Sequence, residues 1–326
     1  MEKSREMRIL ITGIGGNVAQ GILRNLKRIQ ADAYLVGTNT VAFSAGNHLC
    51  NTVYSVPYAF DEQYIPTLLH IVSTEQIQLI IPSTDYEVEY LSKNAHLFSV
   101  PIVCSGAYTS AMCNDKYLNF KEFNSFQIPF ADSCLPSEGS KHHWQQFLAK
   151  PRKGRGSRGI LINPTHIEHL SDDEYMLQEL HSGLEITTAV YVDAKSTIHA
   201  ILSMSRSLSA GTTIECEVID TFDDQCYAIA RQMVQHFDFK ASFNIQSIVS
   251  QGKVVPFEIN CRISGTNSIR SHFGFDELQW ILNEYYYKTD LPQFQKTYGK
   301  ATRILMDVIY TPNQSEFNSN SDFIVF

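Results

Sequence analysis

The stretch that decides the fold is VVPFEINCRI, residues 254–263. Apolar and polar residues alternate along it with a period of two, which is typical of a strand with one buried face. The apolar face consists of Phe257, Ile259, Cys261 and Ile263. The polar face consists of Glu258, Asn260 and Arg262. We therefore predict a strand that packs one face on a core and presents three polar side chains on the other.

The polar face of this strand carries groups that suit phosphate chemistry. The carboxylate of Glu258 and the amide oxygen of Asn260 stand two residues apart, so both can reach one hard cation such as Mg²⁺, which takes oxygen ligands. The guanidinium of Arg262 can stabilise charge that develops during phosphoryl transfer. The alternative is a polar sheet face with one surface salt bridge. We favour the metal site, because a solvent-exposed face rarely places Asn before Arg and then Ser-Gly-Thr.

A basic, glycine-rich segment lies upstream, LAKPRKGRGSRGI at residues 148–160. It is not a Walker A loop, because its lysine, Lys150, precedes the glycines instead of following them. Three glycines, Ser157 and four basic residues after the lysine suit a mobile loop that binds polyphosphate through backbone N–H groups and cationic side chains. The alternative is a solvated basic hairpin. The position of Lys150 on the strand side of the loop favours the phosphate-binding hypothesis.

The first hundred residues alternate short apolar strands with helices, which predicts a parallel sheet covered on both faces. Gly13-Ile-Gly15-Gly16 follows the first strand and opens a helix. Three interpretations remain open for this turn: a tight strand–helix connection, a substrate contact, and part of an NAD site. A full dinucleotide fingerprint needs a third glycine where Val18 stands, and the second strand ends in Gly-Thr-Asn without an acidic residue.

Composition bounds the remaining possibilities. The chain has 326 residues, a formal net charge of −8 and 44% hydrophobic residues, so we expect two or three compact units and no nucleic-acid or anionic-membrane partner. The seven cysteines are scattered and form no CxxC pair, which is typical of reduced thiols in the cytoplasm. The apolar run from Ile9 breaks at Gly13, too short for a signal peptide or a membrane span. We predict a soluble, cytoplasmic protein.

Beyond the leading region the pattern changes twice. Residues 107–192 read as short strands and turns around the basic loop, and residues 193–312 read as long alternating strands with helices near 224–237 and 276–287. Residues 313–326 are rich in Asn and Ser and form a predicted tail. We therefore expect a leading domain over 1–106, followed by two α+β lobes and the tail.

These motifs together resemble the ATP-grasp superfamily, with the closest variants in carbamoyl phosphate synthetase large subunits and their stand-alone relatives. The metal-binding strand of that superfamily is similar to residues 257–262, and its lysine strand and glycine-rich lid to residues 150–159. The segment MLQEL at residues 176–180 resembles its adenine hinge. The resemblance implies a Rossmann-like pre-ATP-grasp α/β domain with a parallel sheet, followed by two ATP-grasp lobes of the α+β class.

The resemblance also implies a set of site residues. The expected ATP-binding residues are Lys116, Lys150, Gly156, Ser157, Gln178, Glu179, Leu180 and Glu185. The expected Mg²⁺ ligands, with Mn²⁺ as an alternative ion, are Gln246, Glu258 and Asn260. Arg262 is the expected catalytic residue, which stabilises an acyl phosphate. Gln246 departs from the family pattern, because the superfamily usually has a carboxylate at this first metal position.

A shared metal would constrain the hairpin that carries Gln246 and Glu258. Side chains alternate along each strand, so even-numbered residues must pair with even-numbered ones, and the connecting loop must contain an odd number of residues. We predict a three-residue loop over 250–252 with Gly252 in the left-handed position. This register would set Gln246 opposite Pro256 and Asn244 opposite Glu258.

The motifs and the resemblance together predict an ADP-forming, ATP- and Mg²⁺-dependent ligase. It would activate a small-molecule carboxylate as an acyl phosphate for attack by an amine. A bicarbonate-using carboxylase or carbamoyl-phosphate-type enzyme is the alternative from the same fold, and a homodimer is compatible with either. An NAD-dependent oxidoreductase built on the Gly13 turn and a non-catalytic nucleotide-binding module are the alternatives from other classes.

Overall fold

The computed structural model describes residues 6–141, 143–154, 156, 158–209, 211–312, 314 and 316–326. The chain divides into two compact units, each built from more than one stretch of sequence. The first unit comprises Met1–Ala107, Arg262–Thr297 and Arg303–Phe326, and the second comprises Tyr108–Cys261 and Tyr298–Thr302.

The strands of the described residues follow one another along the chain and are numbered in that order. They are β1 (Arg8–Ile11), β2 (Tyr34–Asn39), β3 (Thr52–Ser55), β4 (Leu79–Ile81), β5 (Ser133–Cys134), β6 (Phe147–Pro151), β7 (Leu161–Ile162), β8 (Tyr175–Glu179), β9 (Leu184–Val192), β10 (Ile198–Ser209), β11 (Thr212–Ile219), β12 (Ala241–Ser250), β13 (Lys253–Asn260), β14 (Lys300–Thr302), β15 (Val308–Tyr310) and β16 (Phe323–Val325).

The helices are numbered in the same way. They are α1 (Asn17–Ile29), α2 (Tyr64–Thr74), α3 (Asp85–Lys93), α4 (Ala107–Asn114), α5 (Lys116–Ser125), α6 (Asp223–His236), α7 (Asn267–Arg270) and α8 (Glu277–Ile281). A π-helical turn, Leu282–Tyr287, continues α8.

The first unit contains the predicted parallel sheet, in the strand order β3-β2-β1-β4. Its central strands are buried along most of their length, as expected where helices cover both faces of a sheet, and Leu10, Val36 and Ile80 belong to one core cluster. Beyond these four strands, Ile102 forms an isolated parallel bridge to Ile80. Thr84 caps α3 by accepting a hydrogen bond from the Glu87 amide, which fixes the loop after β4.

The second unit contains two antiparallel sheets. The smaller has the order β5-β8-β6-β7, and the larger has the order β13-β12-β9-β10-β11-β14. One face of the larger sheet packs on α6 through a core that includes Ile186, Ile245, Ile259 and Met233. A parallel-sheet domain followed by antiparallel α+β lobes confirms the predicted fold class.

The β12–β13 hairpin differs from its prediction. Its turn has two residues, Gln251 and Gly252, both with positive φ (49° and 76°), and Ser250 pairs directly with Lys253. Two positive φ values match the twist of a tight hairpin, and glycine tolerates this conformation without a Cβ clash. The predicted three-residue loop is therefore wrong.

A β-bulge corrects the parity of this hairpin. Ser247 pairs with Pro256, but the next residue of β12, Gln246, pairs with Glu258, so Phe257 is the extra residue. The bulge places Gln246 directly opposite Glu258 and Asn244 opposite Asn260. The predicted pairing of Gln246 with Pro256 is wrong, yet the even-numbered side chains do share one face.

The two units cut across the predicted boundaries after residue 107. Residues Arg262–Thr297, predicted as part of the last lobe, cluster with the leading region instead. The predicted tail, 313–326, includes β16, which pairs with β15 in the first unit. The first stretch of the first unit ends at Ala107.

Candidate active site

The larger sheet of the second unit has one apolar and one polar face. Thr187 of β9 pairs with Gln246 of β12, and Gln246 pairs with Glu258 of β13, so three strands present polar side chains side by side. The neighbouring residue in each strand points the opposite way and belongs to the core. The pairing register of β9, β12 and β13 therefore determines the polar face. Predicted site residues that are distant in sequence lie next to one another on it.

The alternation of β13 changes phase at its bulge. Val254 packs in the core before the bulge and Ile259 after it, whereas Phe257 is half-buried and lies outside that core cluster. The predicted core position of Phe257 is therefore wrong. An extra residue leaves the ladder and re-aims the side chains beyond it. Pro256, which has no N–H to donate, stands next to the bulge on an edge strand, where proline is tolerated.

The bulge supplies a carbonyl to Lys150. Nζ of Lys150 donates to the carbonyl oxygen of Phe257 at 3.0 Å and to Oε1 of Gln178 at 2.8 Å. The preceding carbonyl, that of Pro256, accepts from the Ala131 amide at 2.7 Å. In a regular strand, consecutive carbonyl groups point to opposite edges. Here two consecutive carbonyls, those of Pro256 and Phe257, both accept hydrogen bonds from groups outside the β12–β13 ladder, which indicates the bulge.

Lys150 is the most deeply buried cation among the predicted site residues, with 4% of its surface exposed. Burial lowers the pKa of Lys150 from its ordinary value of 10.5 to about 7; nearby Glu258 acts in the opposite direction, and Lys116 adds to the lowering. A buried amine with this pKa changes its charge readily when an anion arrives. This behaviour suits a residue that binds phosphate.

A continuous hydrogen-bond network crosses the polar face. Arg206 donates to Oε1 of Glu185 from Nε at 3.0 Å and from Nη2 at 2.7 Å, and Nη2 also donates to Oε1 of Gln246 at 2.6 Å. Nε2 of Gln246 donates to Oδ1 of Asn260 at 2.8 Å, and Nδ2 of Asn260 donates to Oε1 of Glu258 at 3.1 Å. The three predicted metal ligands and Glu185, a predicted ATP-binding residue, thus belong to one network.

The fit of this network to Mg²⁺ can be judged from its oxygens. Glu258 supplies a carboxylate, and Oδ1 of Asn260 has two acceptor positions, of which Gln246 uses one. Both groups are suited to a hard cation. Gln246 presents its oxygen to Arg206 instead. Across the described part of the chain, no three His, Cys, Asp or Glu side chains gather in a way that could hold a metal ion.

Lys116 lies at the base of the glycine-rich loop. Its Nζ donates to the carbonyl oxygen of Gly154 at 2.9 Å, and its backbone amide donates to the carbonyl of Arg152. Asp115 caps α5 and pairs with Arg152 at 2.6 Å. Burial is the largest single influence and acts to raise the pKa of Asp115, but the hydrogen bond and charge of Arg152 and the backbone amides of Leu118 and Tyr117 together lower it. The side chains of Asp115 and Lys116 therefore both bind the loop, Asp115 through Arg152 and Lys116 through the carbonyl of Gly154.

The glycine-rich loop itself reaches the turn between β10 and β11. Gly156 is exposed with φ +66°, and a Cβ added to Gly211 would lie 3.0 Å from the Cα of Gly156. The close backbone approach explains why small residues stand at both positions. Ser157, also predicted to bind ATP, lies outside the described residues.

The predicted hinge, residues 176–180, covers the end of β8 and the residue after it. The backbone amides of Glu179 and Leu180 donate to the carbonyls of Asp132 and Gln146, at 2.8 Å and 3.0 Å. Any backbone hydrogen bond of these two residues to adenine would therefore use a carbonyl oxygen. Gln178, buried at 1% exposure, holds Lys150 instead of facing a ligand directly.

Arg262 lies in the first unit, beyond the end of β13 at Asn260. Its guanidinium donates to Oδ2 of Asp85 from Nη2 at 2.9 Å and from Nε at 3.2 Å. The predicted single strand face that carries Glu258, Asn260 and Arg262 therefore ends before Arg262. Asp85, in the first turn of α3, is the partner that local sequence patterns did not link to Arg262.

Two family models match the sequence. Residues 113–266 match the ATP-grasp domain, and residues 9–103 match the PylC-like, N-terminal domain. Residues 113–266 therefore belong to an ATP-grasp domain. The match agrees in position with the network around Lys150, Glu258 and Asn260. No curated protein matched the sequence.

Several solved structures share the fold. N5-carboxyaminoimidazole synthetase from Staphylococcus aureus is 14% identical with a TM-score of 0.70, covering 90% of this chain and 81% of its own. Carboxyaminoimidazole ribonucleotide synthase from Aspergillus clavatus, complexed with ATP, is 13% identical with a TM-score of 0.69, covering 89% and 80%. The biotin carboxylase domain of 2-oxoglutarate carboxylase from Hydrogenobacter thermophilus is 10% identical with a TM-score of 0.72, covering 98% and 85%.

Three participants in this candidate site were missed from the sequence. They are Arg206, Arg152 and the carbonyl of Phe257. The sequence offered one indication of Arg206, because it is the only Lys, Arg, Asp or Glu in β10. Arg152 was counted as one of several loop cations. The role of a backbone carbonyl cannot be predicted from residue type, because every residue carries one.

Proposed function

We propose that this ATP-grasp protein is an ADP-forming ligase that activates a carboxylate as an acyl phosphate for attack by an amine. The observation that carries the proposal is the buried contact of Lys150 with the bulge carbonyl on the strand that holds Glu258 and Asn260. It joins a phosphate-binding cation and a carboxylate–amide pair in one domain. The match of residues 113–266 to the ATP-grasp domain supports the assignment.

The proposed roles follow from the local chemistry. Lys150 and Lys116 bind the phosphates of ATP, and the loop that contains Gly156 covers them and excludes water, which would hydrolyse an acyl phosphate. Glu258 and Asn260 hold Mg²⁺, which would neutralise phosphate charge during transfer. Glu185 uses only Oε1 in its pair with Arg206, so Oε2 is proposed to accept from a ribose hydroxyl.

The chemistry is a pair of displacements. An oxygen of the substrate carboxylate attacks the γ-phosphorus, the bond between that phosphorus and the β–γ bridging oxygen breaks, and ADP leaves. The amine nitrogen then attacks the acyl carbon, phosphate leaves with the C–O electron pair, and the nitrogen loses a proton. Positioning and charge stabilisation accomplish most of this reaction. We propose that Arg262 stabilises the developing charge.

A bicarbonate-using reaction is the second candidate. The biotin carboxylase domain with the same fold is described in complex with MgADP and bicarbonate, and a carboxyaminoimidazole synthase in complex with ADP and aminoimidazole ribonucleotide. Bicarbonate is itself a carboxylate, so the two candidates differ only in the first substrate. The oxidoreductase alternative is not proposed, because residues 9–103 match a PylC-like, N-terminal domain.

Reduced thiols support a place in the cytoplasm. All seven cysteines are free, and six of them are buried. None of the described helices has the length and apolar character that crossing a membrane requires.

ADP release tests the proposed function. The protein would be incubated with MgATP and pools of carboxylates, bicarbonate, amino acids and amines, with Glu258→Gln as the matched control. We expect ADP release only with the pools that contain both substrates, and none in the control. Equal release by Glu258→Gln, or release that no pool stimulates, would contradict the proposal.

A further inference from the structure

Arg206 places a positive charge where the family pattern has a metal ion. Its guanidinium touches Gln246, the residue at the first metal position, at 2.6 Å, and is held there by Glu185. Only 10% of the Arg206 side chain is exposed. The strand order β12-β9-β10 sets this geometry, because β9 carries Glu185 between the strands of Gln246 and Arg206. The guanidinium of Arg206 therefore has a fixed position on the polar face of the sheet.

The guanidinium also dictates how the amides point. Arginine only donates hydrogen bonds, so Gln246 must present its oxygen to Arg206. Its nitrogen then donates to the oxygen of Asn260, and the nitrogen of Asn260 donates to Glu258. This series of hydrogen bonds runs without interruption from the guanidinium of Arg206 to the carboxylate of Glu258. Gln246 thus orients Asn260, and its own oxygen is occupied by a cation.

A metal ion on Gln246 would lie close to this cation. Mg²⁺ binds oxygen ligands at about 2.0–2.1 Å, so an ion on Oε1 of Gln246 would lie within about 5 Å of Nη2 of Arg206. At such distances two cations in a partly buried site repel strongly. The neutral amide at position 246 does nothing to offset that repulsion.

We propose that Arg206 takes the place of a second metal ion. The chain binds ATP with a single divalent cation on Glu258 and Asn260, and Arg206 supplies the fixed charge beside it. Gln246 is a positioning residue for Asn260 and not a metal ligand. This inference rests on the proposed function, because it concerns the metal content of the ATP complex.

The number of bound ions can be counted with Mn²⁺ as a paramagnetic probe. The protein would be saturated with a non-hydrolysable ATP analogue, and bound Mn²⁺ measured by electron paramagnetic resonance. We expect one Mn²⁺ per nucleotide-bound chain, with the spectrum of an isolated ion. The double variant Arg206→Met/Gln246→Glu should bind a second ion and show spin coupling, since paired sites lie about 3.5–4 Å apart. The single variant Gln246→Glu should keep one ion, because Arg206 neutralises the added carboxylate.

The outcomes separate the two proposals. Two ions in the wild-type complex would overturn the inference and leave the proposed function standing. A single ion in a folded, nucleotide-bound double variant would overturn the role of Arg206 in excluding the second ion. Failure of the wild-type protein to bind the analogue at all would overturn the proposed function and this inference with it. The wild-type count does not depend on whether the double variant folds.

Discussion

The carbonyl oxygen of Phe257 lies 3.0 Å from Nζ of Lys150, and Phe257 is the extra residue of a β-bulge. The same bulge turns Glu258 to face Gln246 across the hairpin. One local irregularity therefore does two things for the site: it provides an acceptor for the buried lysine and restores the parity that the two-residue turn would otherwise break.

Deletion of Phe257 tests the first of these roles. Ser247 already pairs with Pro256 and Gln246 with Glu258, so deletion would leave a regular ladder with both pairings intact. Lys150 would lose one of its acceptors, and we expect the dissociation constant for ATP to rise roughly 10–100-fold, as for a hydrogen bond to a charged group. Phe257→Ala keeps the carbonyl and should change affinity at most a few-fold. Equal affinities for the two variants, measured by calorimetry, would contradict this role.

Lys150 should take up a proton when ATP binds. Burial is the main reason that its pKa falls to about 7, so at pH 8 most molecules carry a neutral amine. Phosphate beside the amine favours the charged form and raises its pKa again. We expect uptake of close to one proton per ATP at pH 8 and much less at pH 6.

Calorimetry in buffers of different ionisation enthalpy measures this uptake. Lys150→Met should abolish it, and Lys195→Met, on an exposed turn, should leave it unchanged. An uptake at pH 8 that persists in Lys150→Met would show that another group takes the proton.

Glu258→Gln should separate metal binding from folding. The amide has nearly the same shape and opens no cavity, so the melting temperature without ligand should remain within a few degrees of the wild type. MgATP at 100 times its dissociation constant stabilises a binding protein by about 2.7 kcal/mol, and the variant should lose this gain. Thermal melting with and without MgATP checks both points. A full MgATP shift in Glu258→Gln would remove Glu258 from the metal site.

Arg262→Ala should lower turnover by about 10²–10³, which is typical for the loss of one electrostatic donor. The Michaelis constant for ATP should change little, in contrast to Lys150→Ala, which should raise it. Asp85→Asn should produce a smaller loss in the same direction, since it removes the charge that pairs with Arg262. Initial-rate kinetics separates the two constants, and full turnover in Arg262→Ala would remove its catalytic role.

The sequence was sufficient where structure is set by local pattern. A continuous apolar run predicted β1, and the pattern near 224–237 predicted α6, because burial on both sheet faces or on one helix face demands such patterns. Parity also required Gln246 and Glu258 to share a face, and they do. The shared face arises from a bulge and not from the predicted three-residue loop. A bulge depends on pairing with the next strand, and Pro256 was the only local indication of it.

The remaining features of the site depend on contacts across long stretches of chain. Arg206 meets Gln246 across 40 residues, and Arg262 meets Asp85 across 177. No periodicity within a strand encodes which charged side chains will meet when strands far apart in sequence are assembled. The assignment of Gln246 as a metal ligand came from family resemblance and could not include Arg206.

Transfer of oxygen from the substrate to phosphate tests the central claim most directly. Once a stimulating carboxylate is found, it would be labelled with ¹⁸O, and the released phosphate analysed by mass spectrometry. An acyl phosphate retains the carboxylate oxygen on phosphorus when the amine displaces it. We predict ADP as the nucleotide product and one ¹⁸O atom in each phosphate released. Formation of AMP and pyrophosphate, or phosphate without label, would contradict the account.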